Sequence, residues 1–334
     1  MKHKIFVFEY HETVNEWIFK KMNLNIVFLQ EINSNSKFIR RLGTLKILIS
    51  IFYFHHFFGV KLLVSTIINS HLIEKIKFFF PKIKIISIQP YLMLKPEFKR
   101  IKTLTHDKIL FYGSNQYENY IKYNNKLLEF EFIGSLNYAV HRKNNSRSIN
   151  PSIKIGYISQ WTPEMLKNKE KDKTQIKNLL DLEENLKKFL TKFNYSYNIL
   201  MRSNTEGKEY KHLTQYFNKQ FVSKRNFSLD NYKILDECEV IISWSSTLAY
   251  EYFADNFKTL FFSNNKDDFL INSELNNIYG NDYYNFEKKM NFMIKLDSKS
   301  YKNLTFKFQN TIVDLNNIYN TDKKIINIIK ENLS

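Results

Sequence analysis

The N-terminal part of the chain alternates short apolar runs with longer amphipathic stretches. The run KIFVF (4–8) is almost entirely apolar, as is typical of a parallel strand that is buried on both faces. The stretch 13–22 carries Trp17, Ile18 and Met22 on one face of a helix. Strands are predicted at 4–8, 25–29, 61–65, 83–88 and 108–112, and helices at 13–22, 69–79 and 117–123. Strands that alternate with helices predict βαβ units and a mostly parallel sheet.

The same alternation returns after residue 152. Strands are predicted at 153–159, 196–202, 240–242 and 258–262, and helices at 172–193, 209–218, 231–238, 248–254 and within 311–332. The polar stretch AVHRKNNSRSINPS (139–152) separates the two parts and is typical of a linker. The pattern predicts an α/β protein with two Rossmann-like, doubly wound, mostly parallel lobes that face a cleft. We expect an N-terminal domain over 1–145 and a C-terminal domain over 152–334, whose last helix is a candidate to pack back on the N-terminal lobe.

One stretch, 45–64 (LKILISIFYFHHFFGVKLLV), is apolar enough to resemble a membrane span. Lys46, His55, His56 and Lys61 interrupt it, and the remaining continuous apolar run is too short to cross a bilayer. We expect it to be buried core, with an interfacial segment as the alternative. The two histidines have no acidic neighbour at ligand spacing, so core positions are favoured over a metal site.

The composition of the chain excludes several classes of function. The net charge is +17, from 50 Lys and Arg against 33 Asp and Glu, and the basic residues are spread along the chain. Diffuse positive charge favours anionic small molecules or surfaces and does not indicate a nucleic-acid-binding arm. The single cysteine, Cys238, excludes an internal disulfide and a multi-cysteine zinc site. The chain has no P-loop, no GxGxxG and no HExxH motif, and its 7 glycines argue against a glycine-rich dinucleotide cradle.

The segment EVIISWSSTLAYEYFADNFKTLFFS (239–263) is the strongest candidate for chemistry. It predicts a buried strand, a polar turn, a helix and a second strand. A helix that begins where a buried strand ends offers backbone N–H groups and a positive dipole to a phosphate. Glu251 follows one turn later and faces the same crevice if the helix forms. The alternative is a helix that is simply capped by Ser and Thr, with a solvated Glu251. The candidate anion-binding residues are Ser243, Ser245, Ser246 and Thr247.

Two other strand ends carry polar residues that suit the same site. Ser159 and Gln160 follow the predicted strand 153–159 and are candidates to contact phosphate, the alternative being a plain turn with a packed Trp161. Arg202 ends the next strand, and its planar fork matches phosphate oxygens, although a structural salt bridge would use the same geometry.

The loop after the first strand supplies the candidates for proton transfer. Glu9, His11 and Glu12 follow strand 4–8, and a histidine or carboxylate at such a position can act as a general base near neutral pH. The alternative is a solvent-exposed loop without a catalytic role.

Several segments, taken in order, carry a resemblance to a known family. They are FPKIKIISIQP, FYGSNQYENYI, FIGSLNY, KIGYISQW, and IISWSSTLAYEYFA followed by KTLFFS. Over about 83–263 the chain resembles bacterial surface-carbohydrate (lipopolysaccharide, capsule or O-antigen) biosynthesis proteins of the GT-B glycosyltransferase kind. Two departures stand out. The family often has Asn-Gly after the first-lobe Gln, where this chain has Gln89, Pro90 and Tyr91. An Asn pair is common after the Gly-Ser that precedes the linker, where it has Leu136, Asn137 and Tyr138.

The resemblance implies a nucleotide-sugar donor in the C-terminal lobe and a glycan or lipid-linked acceptor in the N-terminal lobe. Ser245, Ser246 and Thr247 would hold the donor phosphates and Glu251 the ribose or sugar, with Ser159 and Gln160 lining the pocket.

The expected activity is glycosyl transfer without a bound metal, in the cytoplasm, with basic and aromatic surface as a candidate contact with the inner membrane. The alternatives are a nucleotide-sugar epimerase of the same fold and a non-catalytic binding or scaffold protein of glycan assembly. No nucleic-acid partner is expected.

Overall fold

The computed structural model describes residues 4–9, 11–30, 36–66, 71–94, 97–98, 106–123, 129–146, 151–162, 165–166, 173–202, 207–223, 230–316 and 318–333. The chain divides into two compact units. Unit 1 consists of Met1–Ala139 and Asn316–Ser334, and unit 2 of Val140–Leu315.

Unit 1 is built on a parallel sheet, to which the described residues contribute six strands. These are β1 (Lys4–Phe8), β2 (Asn25–Leu29), β3 (Leu62–Ser65), β4 (Lys84–Ile88), β5 (Lys108–Phe111) and β6 (Glu129–Phe132). Their order is β2-β1-β3-β4-β5-β6, and every neighbouring pair is parallel. The first five strands are confirmed close to their predicted positions, because each is an apolar run bounded by polar residues.

Helices follow the strands of unit 1. The first, α1, is a helical segment made of α-helical Glu12–Val14, π-helical Asn15–Phe19 and α-helical Lys20–Met22. The others are α2 (Lys37–Phe58), α3 (His71–Phe79), α4 (Ser114–Tyr123), α5 (Leu136–Asn144), which runs on into unit 2, and the C-terminal α12 (Thr321–Glu331). Lys21 on α1 pairs with Asp322 on α12 at 2.9 Å, so the last helix of the chain packs within unit 1.

The stretch 45–64, predicted to be buried core, is buried only in part: Ile47, Ile51, Val60 and residues 62–64 are core, whereas most of its other apolar side chains are not. Most of it belongs to α2, on which only Gly43, Ile47 and Ile51 are buried. Large apolar side chains elsewhere on the helix are exposed, among them Phe57 at 70%. The apolar run continues around the whole helix, so periodicity could not distinguish a buried face from an exposed one. No described helix is long and apolar enough to cross a membrane.

Unit 2 has a second parallel sheet with six described strands. They are β7 (Ile153–Ile158), β8 (Tyr197–Leu200), β9 (Val222–Ser223), β10 (Cys238–Ser243), β11 (Lys258–Ser263) and β12 (Asn277–Tyr279). Their order is β9-β8-β7-β10-β11-β12. The helices are α6 (Lys173–Phe193), α7 (Lys208–Tyr216), α8 (Asp230–Asp236), α9 (Thr247–Ala254), α10 (Tyr283–Lys295) and α11 (Ser298–Ile312).

Several segments differ from the sequence-based prediction. Residues 139–144, assigned to a linker, are helical and belong to α5, where buried His141 and Arg142 both contact Asp236. A polar, charged composition predicted a loop because the buried ion pairs that hold these residues are not visible in sequence. The helix predicted within 311–332 is confirmed as α12 (Thr321–Glu331), whereas β12, α10 and α11 had not been predicted. The two Rossmann-like lobes themselves are confirmed.

Candidate functional site

The sheet of unit 2 changes its direction of growth between β7 and β10. Strands β8 and β9 lie on one side of β7, whereas β10 to β12 lie on the other. Connections therefore leave these two strands in opposite directions, and a crevice forms at their carboxyl ends, where open α/β sheets bind ligands. Ser159 and Gln160 follow β7, and Ser243 ends β10 in register with Ile158. The topology thus brings two of the predicted segments to one place.

The Gln160 side chain joins the two strand ends directly. Its Oε1 accepts a hydrogen bond from the backbone N–H of Ser245 at 2.6 Å and another from the Ser243 hydroxyl at 3.0 Å. Gln160 is more than 80 positions from both serines in the chain. The glutamine amide therefore holds the polar turn after β10 against the end of β7.

A buried carboxylate fixes the next strand end. Glu209 on α7 is fully buried, and its Oε1 accepts from the Ser159 hydroxyl at 2.7 Å and from the Arg202 backbone N–H at 3.0 Å. The Arg202 guanidinium is exposed and donates from Nη1 to the Gln160 carbonyl at 3.4 Å. The carboxyl ends of β7, β8 and β10 are therefore linked, with a cation at their rim.

The turn between β10 and α9 contains a buried serine hydroxyl without a hydrogen-bond partner in the described part of the chain. The Ser245 Oγ is buried and has no hydrogen-bond partner among the described residues. Ser246 is the N-cap residue, with φ −82° and ψ 131°, but its side chain makes no capping hydrogen bond. Helix α9 therefore begins without the usual serine cap. A buried hydroxyl without a partner costs free energy unless a ligand supplies one.

Glu251 lies on the second turn of α9 and is 2% exposed. One of its oxygens, Oε2, accepts from the Tyr232 hydroxyl at 2.9 Å. The Tyr232 ring in turn stacks on His141, with ring centroids 4.9 Å apart. Glu251 is therefore a fixed interior carboxylate and not the solvated helix residue that was the alternative. Nothing in the sequence pattern had pointed to Tyr232, because the contact depends on the packing of α8 against α9.

A second buried carboxylate, Glu183 on α6, also escaped the sequence analysis. Its Oε1 accepts from the Tyr157 hydroxyl at 3.0 Å and from Trp161 Nε1 at 2.7 Å, and its Oε2 lies 2.7 Å from His212 Nε2. Burial, together with the Glu183 carboxylate, raises the pKa of Tyr157 well above its ordinary value. One signal was available, since Glu183 is four residues after Leu179 on the apolar face of its helix.

Unit 1 has a pocket at the corresponding edge of its own sheet. His11 follows β1 and Thr66 follows β3, the two strands at which the growth of this sheet reverses, and Gln89 and Tyr112 follow β4 and β5. The pocket has a cavity volume of about 20 Å³, room for a group of about the size of a water molecule or a hydroxyl, and Asn137 also lines it. Three positions at which this chain differs from the sequence pattern that it resembles, Pro90, Leu136 and Asn137, therefore line this pocket.

Two polar atoms of this pocket have no partner. His11 Nδ1 and Asn137 Oδ1 are buried and form no hydrogen bond with any described residue. Burial lowers the pKa of His11 below its ordinary value of 6.5, an effect that the neighbouring Glu12 partly opposes. The imidazole is therefore neutral at pH 7 and has a nitrogen that can accept a proton.

The three candidates for proton transfer lie in different surroundings. His11 caps α1 and lines the pocket, whereas Glu9 and Glu12 are not among its described lining residues. Glu9 is held with φ 64°, in the left-handed region, and its N–H donates to the Leu29 carbonyl at 2.9 Å. Glu12 is exposed in the first helical turn.

Within the part of the chain that the structure describes, no three His, Cys, Asp or Glu side chains are close enough together to hold a metal ion. Cys238 is 2% exposed, and burial raises the pKa of its thiol to about 12, so it remains protonated at neutral pH.

No protein-family model and no curated protein sequence matches the chain. Solved structures do match it over its whole length. The UDP-GlcNAc 2-epimerase from Neisseria meningitidis bound to UDP-GlcNAc has a TM-score of 0.66 at 11% identity, covering 98% of this chain and 99% of that one. The UDP-N-acetylglucosamine 2-epimerase from Rickettsia bellii has a TM-score of 0.60 at 13% identity, covering 100% and 97%. A variant of the wall teichoic acid polymerase TagF has a TM-score of 0.59 at 14% identity, covering 99% and 89%.

The fold therefore falls in a definite class. The chain has two Rossmann-like lobes, as GT-B-like enzymes do, and its structural neighbours include UDP-GlcNAc 2-epimerases and a wall teichoic acid polymerase. At 11–14% identity this likeness establishes the fold and leaves the reaction to be argued from the site.

Proposed function

We propose that this protein is a glycosyltransferase that uses a nucleotide-sugar donor. The observation that carries the proposal is the turn between β10 and α9. It lies at the point where the sheet of unit 2 reverses, Gln160 holds it in place, and it presents the unpartnered Ser245 hydroxyl beside a helix start without a serine cap. Each of these features suits a diphosphate, whose oxygens accept hydrogen bonds from hydroxyl and backbone N–H groups.

The donor is assigned to unit 2. Ser245, Ser246 and Thr247 take the phosphates, and Arg202 offsets the charge that develops on the leaving diphosphate. Glu251 accepts from a ribose or sugar hydroxyl, with its orientation fixed by the Tyr232 hydroxyl. Because these groups supply positive charge and hydrogen-bond donors at the phosphates, the proposed transfer does not require a bound metal.

The acceptor is assigned to the pocket of unit 1. Its lining includes His11 Nδ1 and Asn137 Oδ1, which are buried without a partner among the described residues and can meet an acceptor hydroxyl. The acceptor oxygen forms a bond to the anomeric carbon, the bond from that carbon to the diphosphate breaks, and the hydroxyl proton passes to the neutral His11 imidazole. Glu9 and Glu12 have no part in this step.

The main alternative is a nucleotide-sugar epimerase, which the likeness to two epimerases favours. Epimerisation at a sugar carbon removes a proton from one face and returns one to the other, so it requires acid and base groups on both faces. Among the described residues that line the unit 1 pocket, the titratable side chains are those of His11 and Tyr112, and no carboxylate is present. This composition favours transfer, in which a single base suffices.

A panel of UDP-, CMP-, GDP- and dTDP-sugars in a thermal unfolding assay tests the donor site. We expect one nucleotide class to stabilise the wild-type protein, by about 2.7 kcal/mol at a hundredfold excess over Kd. The Ser245→Ala variant should be at least as stable as wild type without ligand, because it removes a buried hydroxyl that has no partner. It should bind the donor roughly 10- to 100-fold more weakly, because a hydrogen bond to a charged group is lost.

Ser273→Ala is the matched control, since the Ser273 hydroxyl is buried and donates to Asn276 Oδ1 at 2.7 Å. It should lose stability and keep donor affinity, the opposite signature. If no nucleotide stabilises the protein, both enzyme functions are wrong. Once a donor is found, NMR of the reaction separates them: a transferase releases the nucleoside diphosphate (the monophosphate from a CMP-sugar), whereas an epimerase returns a nucleotide-sugar with an inverted carbon.

A further inference from the structure

Helix α2 of unit 1 has two apolar faces, of which the sheet covers only one. Ile47 and Ile51 belong to a buried cluster that also holds Leu72, Ile73 and Ile76 of α3. The opposite side carries a second stripe with alternating spacings of four and three residues, so its members lie along one line of the helix. The stripe consists of Phe38, Leu42, Leu45, Ile49 and Phe52, with exposed fractions of 69%, 49%, 53%, 59% and 52%.

The charges around this stripe have a single sign. Lys37, Arg40, Arg41 and Lys46 are exposed on α2, and the helix contains no Asp or Glu. None of the four forms an ion pair with a residue of the described ranges. Arg41 and Lys46 lie on either side of the stripe at helical spacing. The exposed face of α2 is thus an apolar stripe between cations that have no ion-pair partner in the described ranges.

The neighbouring helix extends the apolar surface. Phe78 and Phe79 at the end of α3 are 80% and 59% exposed, and α3 packs in the same core cluster as α2. Exposed aromatic side chains thus occur at the end of α3 as well as along α2, and clusters of exposed apolar side chains mark surfaces that bind a partner or a membrane.

We propose that the outer face of α2 docks on an anionic lipid bilayer, lying in the plane of the headgroups. The stripe would enter the boundary between headgroups and acyl chains, and Arg41 and Lys46 would meet lipid phosphates on either side, as in interfacial amphipathic helices. A second copy of the chain fits this face less well, because pairing two such helices brings like charges together without a compensating carboxylate. The net charge of +17 adds a long-range attraction to an anionic surface.

This inference goes beyond the proposed function and does not depend on it, since docking requires no donor. The test is sedimentation of the full-length protein with vesicles of phosphatidylcholine alone and of phosphatidylcholine mixed with phosphatidylglycerol. We expect binding to the anionic vesicles that weakens with added salt. The Ile49→Ser/Phe52→Ser variant should bind at least about tenfold more weakly, because each buried side chain of this size carries a large transfer free energy. Arg41→Gln/Lys46→Gln should bind about thirtyfold more weakly at low salt.

Helix α11 of unit 2 supplies the matched controls. Phe306 is 63% exposed, and Lys302 and Lys307 are exposed on the same helix. Phe306→Ser and Lys302→Gln/Lys307→Gln should bind vesicles as wild type does. All variants replace exposed side chains, so we expect their unfolding temperatures to match that of the wild type. This match is the check that the variants fold.

Three outcomes would overturn the proposal. The first is wild-type protein that stays in the supernatant with anionic vesicles. The second is equal weakening by the α11 variants, which would mean diffuse charge attraction. The third is a dimer in sedimentation equilibrium that Ile49→Ser/Phe52→Ser converts to a monomer, which would make a second copy the occupant of this face.

Discussion

The His11→Asn variant is expected to retain donor affinity and to lose about 10²- to 10⁴-fold in turnover, the usual contribution of a general base. Asparagine occupies similar space and forms hydrogen bonds, but it cannot accept the proton that leaves the acceptor hydroxyl. The measurement is release of nucleoside diphosphate from the donor that the unfolding panel identifies, together with the donor Kd. His71→Asn is the matched control, because the His71 side chain is 94% exposed and lies in the first turn of α3; it should leave both quantities unchanged.

The pH dependence gives an independent test of the same residue. Burial lowers the pKa of His11 below 6.5, so the imidazole is already neutral at pH 7. Wild-type turnover should rise with pH through a value below 6.5 and stay level above it, and His11→Asn should lack this rise. Turnover that the variant leaves intact, or a loss that appears entirely in donor affinity, would remove His11 from the proton-transfer step.

The Glu183→Ala variant is expected to lower the free energy of unfolding by about 3–5 kcal/mol, the usual effect of removing one partner from a buried charged network. Three polar groups lose their shared partner at once, namely the Tyr157 hydroxyl, Trp161 Nε1 and His212 Nε2. Both Tyr157 and Trp161 are essentially without solvent exposure, so water cannot replace the carboxylate without rearrangement. Chemical denaturation followed by circular dichroism measures the difference.

Glu184 is the matched control for this variant. It is the next residue of the same helix, its side chain is 60% exposed, and its partner among the described residues is Lys188, in an exposed salt bridge. Glu184→Ala should change stability by less than about 0.5 kcal/mol. Glu183→Gln should fall between the two, since its amide oxygen can still accept from Trp161. A loss below about 1 kcal/mol in Glu183→Ala would mean that the network is not a major source of stability.

The strands were predictable because buried parallel strands consist of apolar runs, and those of β1, β4, β7 and β10 are bounded by polar residues. The strand ends followed from the same pattern, and so did the placing of Ser159, Gln160 and Ser243. Their mutual contact did not, because it requires the strand order, which no local pattern determines. In the same way β12 escaped prediction: its three residues, Asn277–Tyr279, are too short a run to show a period.

The buried polar networks could not be predicted from the sequence. Glu183 and Glu209 are charged residues on amphipathic helices and resemble solvated positions, yet both are fully buried through partners far away in the chain. For α2 the prediction was wrong in the opposite sense: its apolar residues were predicted to be buried, but those on one face of the helix are exposed. In both cases tertiary contacts, and not local propensity, determine which side chains are buried.

Hydrogen–deuterium exchange with and without the stabilising nucleotide-sugar tests the central claim most directly. The account predicts slower exchange in the peptides that contain Ser159–Gln160 and Ser243–Leu248, because phosphate oxygens would accept from backbone N–H groups at the end of β10 and the start of α9. Peptides from α11, which has no role in the proposed site, should exchange at the same rate in both states. Slower exchange elsewhere in unit 2 at saturating ligand, with no change at Ser243–Leu248, would contradict the assignment of the donor site.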